Sequence, residues 1–158
     1  MQFTCEVIIN RPIDQVIELF DDPNNLKQWM DGLTDFIHVS GIPGQPGAQS
    51  RLIFKMGNRD MELIETITER NLPHEFSGTY EANGVTNEVR NRFESLPGGK
   101  TKYTTENFFE FKGFMKIIAF LMPGAFKKQS LKYMINFKNF TETHNNNLNI
   151  KQQANGTG

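Results

Sequence analysis

Hydrophobic positions along the chain follow two regimes. Up to about residue 111 they alternate with polar ones, as in strands with one buried face, and beyond it they recur at helical spacing. Phe3, Cys5, Val7 and Ile9 alternate with Gln2, Thr4 and Glu6 and predict a first strand. Arg11-Pro12 ends it, because proline has no N–H to give a ladder. Pro12 suits a first helical turn, and Ile13, Val16, Ile17 and Phe20 recur at helical spacing as far as Asp21-Asp22-Pro23. A second short helix over 23–29 carries Leu26 and Trp29 on one side. Six more strands are predicted at 33–40, 48–56, 61–69, 75–82, 85–95 and 102–111. Turn-forming residues separate them: the 41–47 loop, Gly57-Asn58, 71–74, Asn83-Gly84 and 97–99. Asn83-Gly84 is the strongest of these, since a two-residue hairpin turn needs residues that tolerate positive φ. Successive hairpins imply an antiparallel meander, twisted and curved.

Past Lys112 the period changes. A short helix is predicted over about 115–121, a break at Pro123-Gly124, and a long helix from about Pro123 to Thr141. On its wheel Phe126, Ser130, Tyr133, Met134, Phe137 and Phe140 share one side. Lys128, Lys132, Asn136 and Asn139 share the other, with Leu131 and Ile135 off the stripe. This aromatic stripe reads either as a lid over a ligand cavity or as plain core packing. Residues 143–158 are polar, Asn-rich and nearly without apolar side chains, so a flexible tail is expected after a single domain over 1–142.

Composition narrows the function. At 158 residues the chain is one domain of ordinary size, able to bury roughly 68–70% of its unfolded surface. Seventeen basic and 18 acidic residues leave a net charge of −1, which offers no global field for nucleic acid. The lone cysteine, Cys5, forms no internal disulfide and reads as a small core residue. No signal-peptide pattern is visible, so a cytoplasmic location is expected. The apolar run 113–124 is too short to span a bilayer and is flanked by Lys112 and Lys116, so no transmembrane segment is predicted. Transient interfacial contact through Ile117, Ile118, Phe120 and Leu121 stays open.

Several local phrases carry a family resemblance. Val7-Ile8-Ile9-Asn10-Arg11-Pro12-Ile13-Asp14-Gln15-Val16 resembles the strand, Arg-Pro, helix opening of the START-like superfamily, also called SRPBCC. Asp22, Pro23 and Trp29 are similar to its Asp-Pro…Trp. Gly47-Ala48 opening a strand, Glu65–Glu69 followed by Pro73, and Phe93 before the 98–101 turn also resemble it. The closing Phe137-Lys138-Asn139-Phe140-Thr141-Glu142 resembles the polyketide cyclase/dehydrase-like branch. The resemblance covers about residues 2–142. It implies an α+β helix-grip fold: a curved seven-stranded antiparallel sheet wrapped around a long C-terminal helix, with two short helices after the first strand. It also implies a cavity between them that holds a lipid, polyketide or quinone-like molecule, in a carrier or in a cyclase/dehydratase.

The chemistry within such a cavity depends on which strand faces point inward. In the seventh strand Tyr103, Thr105, Asn107, Phe109 and Phe111 share a face; in the sixth, Val85, Asn87, Val89, Asn91 and Phe93 do. If both faces are concave, Asn87, Asn91, Thr105 and Asn107 enter the cavity near Tyr80 and Tyr103. There they either orient a mostly apolar ligand or pair with one another. The expected lining is Trp29, Leu52, Phe54, Phe76, Tyr80, Asn87, Asn91, Tyr103, Thr105, Asn107, Phe109, Phe126, Tyr133 and Phe137. Glu65 shares a face with Leu63 and Ile67. An inward carboxylate would act as a general acid or base, but an outward Glu65 paired with Arg90 or Arg92 is the expected arrangement. Glu106 and Glu110 are expected to face solvent beside the sixth strand's arginines. His38, His74 and His144 are scattered, so no metal site is predicted, and neither a nucleophile motif nor a phosphate-binding loop implies a cofactor. Three readings follow: a small-molecule carrier, an enzyme of the cyclase type, and a module that docks a protein through 117–121.

Overall fold

The alternating segments pair as one antiparallel sheet. The computed structural model describes the backbone of residues 1–155 and the side chains of residues 1–144. The strands are β1 (Gln2–Ile9), β2 (Leu33–Ser40), β3 (Gln49–Met56), β4 (Arg59–Asn71), β5 (Glu75–Ala82), β6 (Val85–Leu96) and β7 (Lys100–Phe111). Between β1 and β2 lie α1 (Ile13–Phe20) and a 3-10 turn (Pro23–Asn25) that runs into α2 (Leu26–Trp29). After β7 come α3 (Met115–Leu121) and α4 (Pro123–Asn155). The order β1-β7-β6-β5-β4-β3-β2 is a meander whose first strand returns to pair with the last. This is the helix-grip fold. The long helix runs past its predicted end at Thr141, since no glycine or proline stands between Gly124 and Gly156 to stop it. The side chains of the expected flexible tail lie, from residue 145 on, outside the described residues.

Breaks in register bend the sheet. β2 slips between Leu33 and Asp35 and again between His38 and Ser40, and β4 slips between Ile67 and Glu69. Gly78 lies opposite Ile67 at the β4 slip, where an added Cβ would sit 3.0 Å from the Thr66 carbonyl oxygen. Only glycine permits so close an approach.

One end of the concave face is filled. Cys5, Ile9, Val16, Leu19, Trp29, Phe93, Tyr103, Met134 and Phe137 form the main core cluster. Phe20, the last residue of α1, is its hub. Its ring lies 4.9 Å from Phe93, 5.7 Å from Phe76 and Phe137, 6.0 Å from Tyr103 and 6.3 Å from Trp29, centroid to centroid. A second cluster of Leu33, Leu52 and Phe54 takes in Tyr80 and Tyr133.

Polar contacts fasten α4 across this core. Glu142 accepts the Asn10 N–H at 2.8 Å and pairs with Lys138 at 3.1 Å, and Arg11 donates to the Glu142 carbonyl. Nearby, Thr101 Oγ1 donates to the Arg11 carbonyl at 2.8 Å. Asn136, expected on the solvent side of α4, is half-buried and donates to the Trp29 carbonyl at 3.2 Å.

Candidate functional site

A row of polar side chains crosses the concave face. Ser50 on β3 is the cross-strand partner of Glu65 on β4, Glu65 of Tyr80 on β5, and Tyr80 of Asn87 on β6. Cross-strand partners share a face, so all four project toward α4. Tyr80 donates its hydroxyl to Glu65 Oε1 at 2.7 Å. Glu65 is 8% exposed. Burial pushes its carboxyl above the ordinary value of 4.5, against a smaller opposing effect of the Tyr80 hydrogen bond. Burial, then the Glu65 charge, pushes the Tyr80 hydroxyl well above 10. The pair therefore holds its protons more tightly than either group would in water.

This overturns the expected outward Glu65. Arg92 pairs instead with Glu75 at 3.4 Å and Glu106 at 2.9 Å, and Arg90 with Glu88 at 2.7 Å, on the convex face. The cause is register: Glu65 lies opposite Ser50 and Tyr80, with β5 between it and the arginines of β6.

The sequence-predicted amides separate into two networks. Tyr103 donates to Asn91 Oδ1 at 2.8 Å, and Asn91 Nδ2 donates to the Phe76 carbonyl at 3.2 Å. That network is closed and buried. In the second, Asn87 Nδ2 donates to Asn107 Oδ1 at 3.1 Å, Ser130 Oγ on α4 to the same oxygen at 3.4 Å, and Asn107 Nδ2 to Thr105 Oγ1 at 3.4 Å. Asn87 Oδ1 is buried and has no hydrogen-bond partner. An unpaired buried amide oxygen costs about 1–3 kcal/mol, so this network retains an acceptor.

The surroundings of this row are apolar and incompletely packed. Leu63, Val85, Val89, Phe109, Phe126 and Tyr133 are only half-buried. The reason is the seat of α4, which lies chiefly against β1 and α2. The concave side of β4–β6 therefore keeps a strip of half-buried apolar side chains beside the polar row. Phe126 closes one end, 4.9 Å from Phe109 and 5.0 Å from Phe111 between ring centroids. Leu52 and Phe54 form the floor at β3, while Trp29 and Phe137 are packed inside the main core and Phe76 against Phe20. Two surface hollows lie elsewhere. One of about 410 Å³ touches Gln2, Thr86, Glu88 and Phe108, and another of about 480 Å³ runs along Ala125, Lys128, Leu131 and Ile135. Neither includes Glu65, Tyr80 or Asn87.

Ser50 and Ser130 were not singled out by sequence reasoning, although strand alternation and the helical stripe already place both inward. The Glu65–Tyr80 contact left no sequence signal, because 15 residues and a bulged strand pair separate them. Among the described residues no group of three or more His, Cys, Asp or Glu side chains stands where it would hold a metal ion, and no helix is long and apolar enough to cross a membrane.

A family model described as polyketide cyclase / dehydrase and lipid transport matches residues 1–134. The chain belongs to that family. The START-like resemblance of its local phrases thus agrees with the match. No curated protein sequence matches it. Among solved structures, the Zhui aromatase/cyclase from Streptomyces sp. R1128 superposes with a TM-score of 0.74 at 11% identity, covering 90% of this chain and 93% of that one. TTHA0849 from Thermus thermophilus gives 0.73 at 13%, covering 91% and 99%. Norcoclaurine synthase from Thalictrum flavum, in complex with a transition-state analogue, gives 0.68 at 11%, covering 92% and 96%. At such identities the likeness to these family-fold structures shows the fold alone.

Proposed function

We propose that the half-buried apolar strip between β4–β6 and α4 is a groove in which the chain binds a largely apolar small molecule, a lipid, polyketide or quinone-like compound. One polar group of that molecule sits at Glu65, Tyr80 and Asn87. The observation that carries this reading is the buried, unpartnered Asn87 Oδ1 at the end of the polar row, among half-buried apolar side chains. A ligand hydroxyl donates to Asn87 Oδ1, beside the Glu65–Tyr80 pair. Leu63, Val89, Phe109, Phe126 and Tyr133 take the apolar body. Trp29, Phe137 and the closed Tyr103–Asn91 pair act behind the groove by holding its end rigid.

Native mass spectrometry of the full chain from its own host should show a stoichiometric organic mass that denaturation releases. Asn87→Leu should weaken binding of the released molecule about tenfold, the equivalent of one lost hydrogen bond. A protein that is empty and also fails to bind a dansyl-labelled fatty acid sinks the reading.

The Glu65–Tyr80 hydrogen bond favours a second reading, an enzyme of the cyclase/dehydratase type acting in the same groove. In a dehydration a base takes the C–H proton beside a carbonyl and an acid protonates the departing hydroxyl, which leaves as water. A carboxyl with raised proton affinity suits the acid's part, with the Tyr80 hydroxyl fixing its orientation. On a β-hydroxy ketone substrate, Glu65→Gln should remove turnover while leaving substrate affinity within about threefold. Unchanged turnover in that variant would rule Glu65 out as the acid.

A further inference from the structure

The short helix α3 presents an apolar face to solvent. Phe120 is 83% exposed, Phe114 70% and Leu121 67%, while Ala119 is the helix's buried residue. Its position is set by the β5–β6 hairpin. The Lys112 N–H donates to the Gly84 carbonyl at 2.8 Å, and a Cβ at Gly84 would meet Met115 Cγ at 3.1 Å. That places the patch beside Val85 and Phe111, at the Phe126 end of the proposed groove.

Charge identifies what covers it. Residues 111–141 hold six lysines and no Asp or Glu, in a chain whose net charge is −1. Lys132 and Lys138 are paired with Asp31 and Glu142. Lys112, Lys116, Lys127 and Lys128, which bracket the patch, are exposed. A second copy of this chain would bring like charges together across an apolar contact. A surface that is apolar below and negative around its edge meets both features: phenylalanine and leucine enter the acyl boundary while lysines remain among anionic headgroups. We propose that α3 and the first turn of α4 form a docking surface for an anionic lipid bilayer, and so bring the end of the groove to the membrane. This goes beyond the binding reading and does not depend on what the groove holds.

The test is co-sedimentation of the full chain with large unilamellar vesicles of phosphatidylcholine, alone or mixed with phosphatidylserine, at low and high salt. The mixed vesicles should bind the protein, and salt should weaken binding. Phe120→Ser/Leu121→Ser should reduce it at least about tenfold, and Lys112→Glu/Lys116→Glu to a similar degree with a flatter salt dependence. All four positions are exposed, so circular dichroism should be unchanged in both variants. Absence of binding to mixed vesicles, binding undiminished in both variants, or a concentration-dependent dimer that Phe120→Ser abolishes would each overturn the proposal. An empty groove in native mass spectrometry would leave the vesicle result standing.

Discussion

Glu65 occupies a position where ionisation is costly, beneath α4 and with Tyr80 as its hydrogen-bond donor. Its folded-state proton affinity exceeds that of the unfolded chain, because burial raises it above the ordinary 4.5. The sign of the pH effect follows. Below 4.5 both states hold the proton and the fold keeps its full stability with respect to this group. As pH rises from there through the folded value, the unfolded chain releases the proton first and stability falls. Glu65→Gln has no such proton to lose. The difference in urea midpoint between wild type and variant should therefore shift toward the variant as pH increases across that window. Parallel curves for the two proteins would mean that Glu65 titrates like an exposed carboxylate. Asn87 is the complementary case, since its unpartnered Oδ1 is a fixed cost that no pH change removes.

Among the elements, α1 shows how a short helix organises a large sheet. Its stripe of Ile13, Val16, Ile17 and Phe20 was readable from spacing, but the stripe says nothing of how many partners its last residue meets. Phe20 touches rings from α2, β5, β6, β7 and α4 at once. Edge-to-face geometry at Phe76, Phe93, Tyr103 and Phe137 adds to the area buried. Phe20→Ala should thus cost about 3 kcal/mol or more of unfolding free energy, read from urea titration. A loss under about 1 kcal/mol would show that the hub collapses without penalty. At the same end of this helix Asp21, its C-cap, receives both terminal nitrogens of Arg70, tying α1 to β4. The long helix is held differently, by Glu142 against the β1–α1 linker. Burial pushes the Glu142 carboxyl up, but the Asn10 N–H and Lys138 outweigh that and hold it below the ordinary range.

At the scale of the whole molecule the half-buried apolar strip beside the polar row is a product of curvature and of where α4 rests. The helix leans on β1 and α2, so one end of the concave face is core and the rest keeps accessible apolar surface. The same arrangement leaves α3 at the Phe126 end of that strip. How much of this was legible in the sequence follows from the range of the forces involved. Alternation and turn chemistry act over a few residues, so they determined all seven strands, with β2 and β5 at their observed bounds, and the Asn83-Gly84 hairpin. They also determined that Asn87 shares a face with Asn91, and Thr105 with Asn107, because side chains on a strand alternate with period two; that the two faces coincide was set by the β6–β7 register. Which of those groups satisfy one another was a tertiary matter. Tyr103 closes on Asn91, and Glu65 on Tyr80 rather than an arginine, because the register between neighbouring strands decides which side chains meet. No periodicity within one strand encodes its offset from the next. The seat of α4 was likewise decided only when the whole core closed around Phe137, and with it which polar groups lie beside open apolar surface. Local patterning thus determined the elements and their faces, while register and the packing of α4 decided the site.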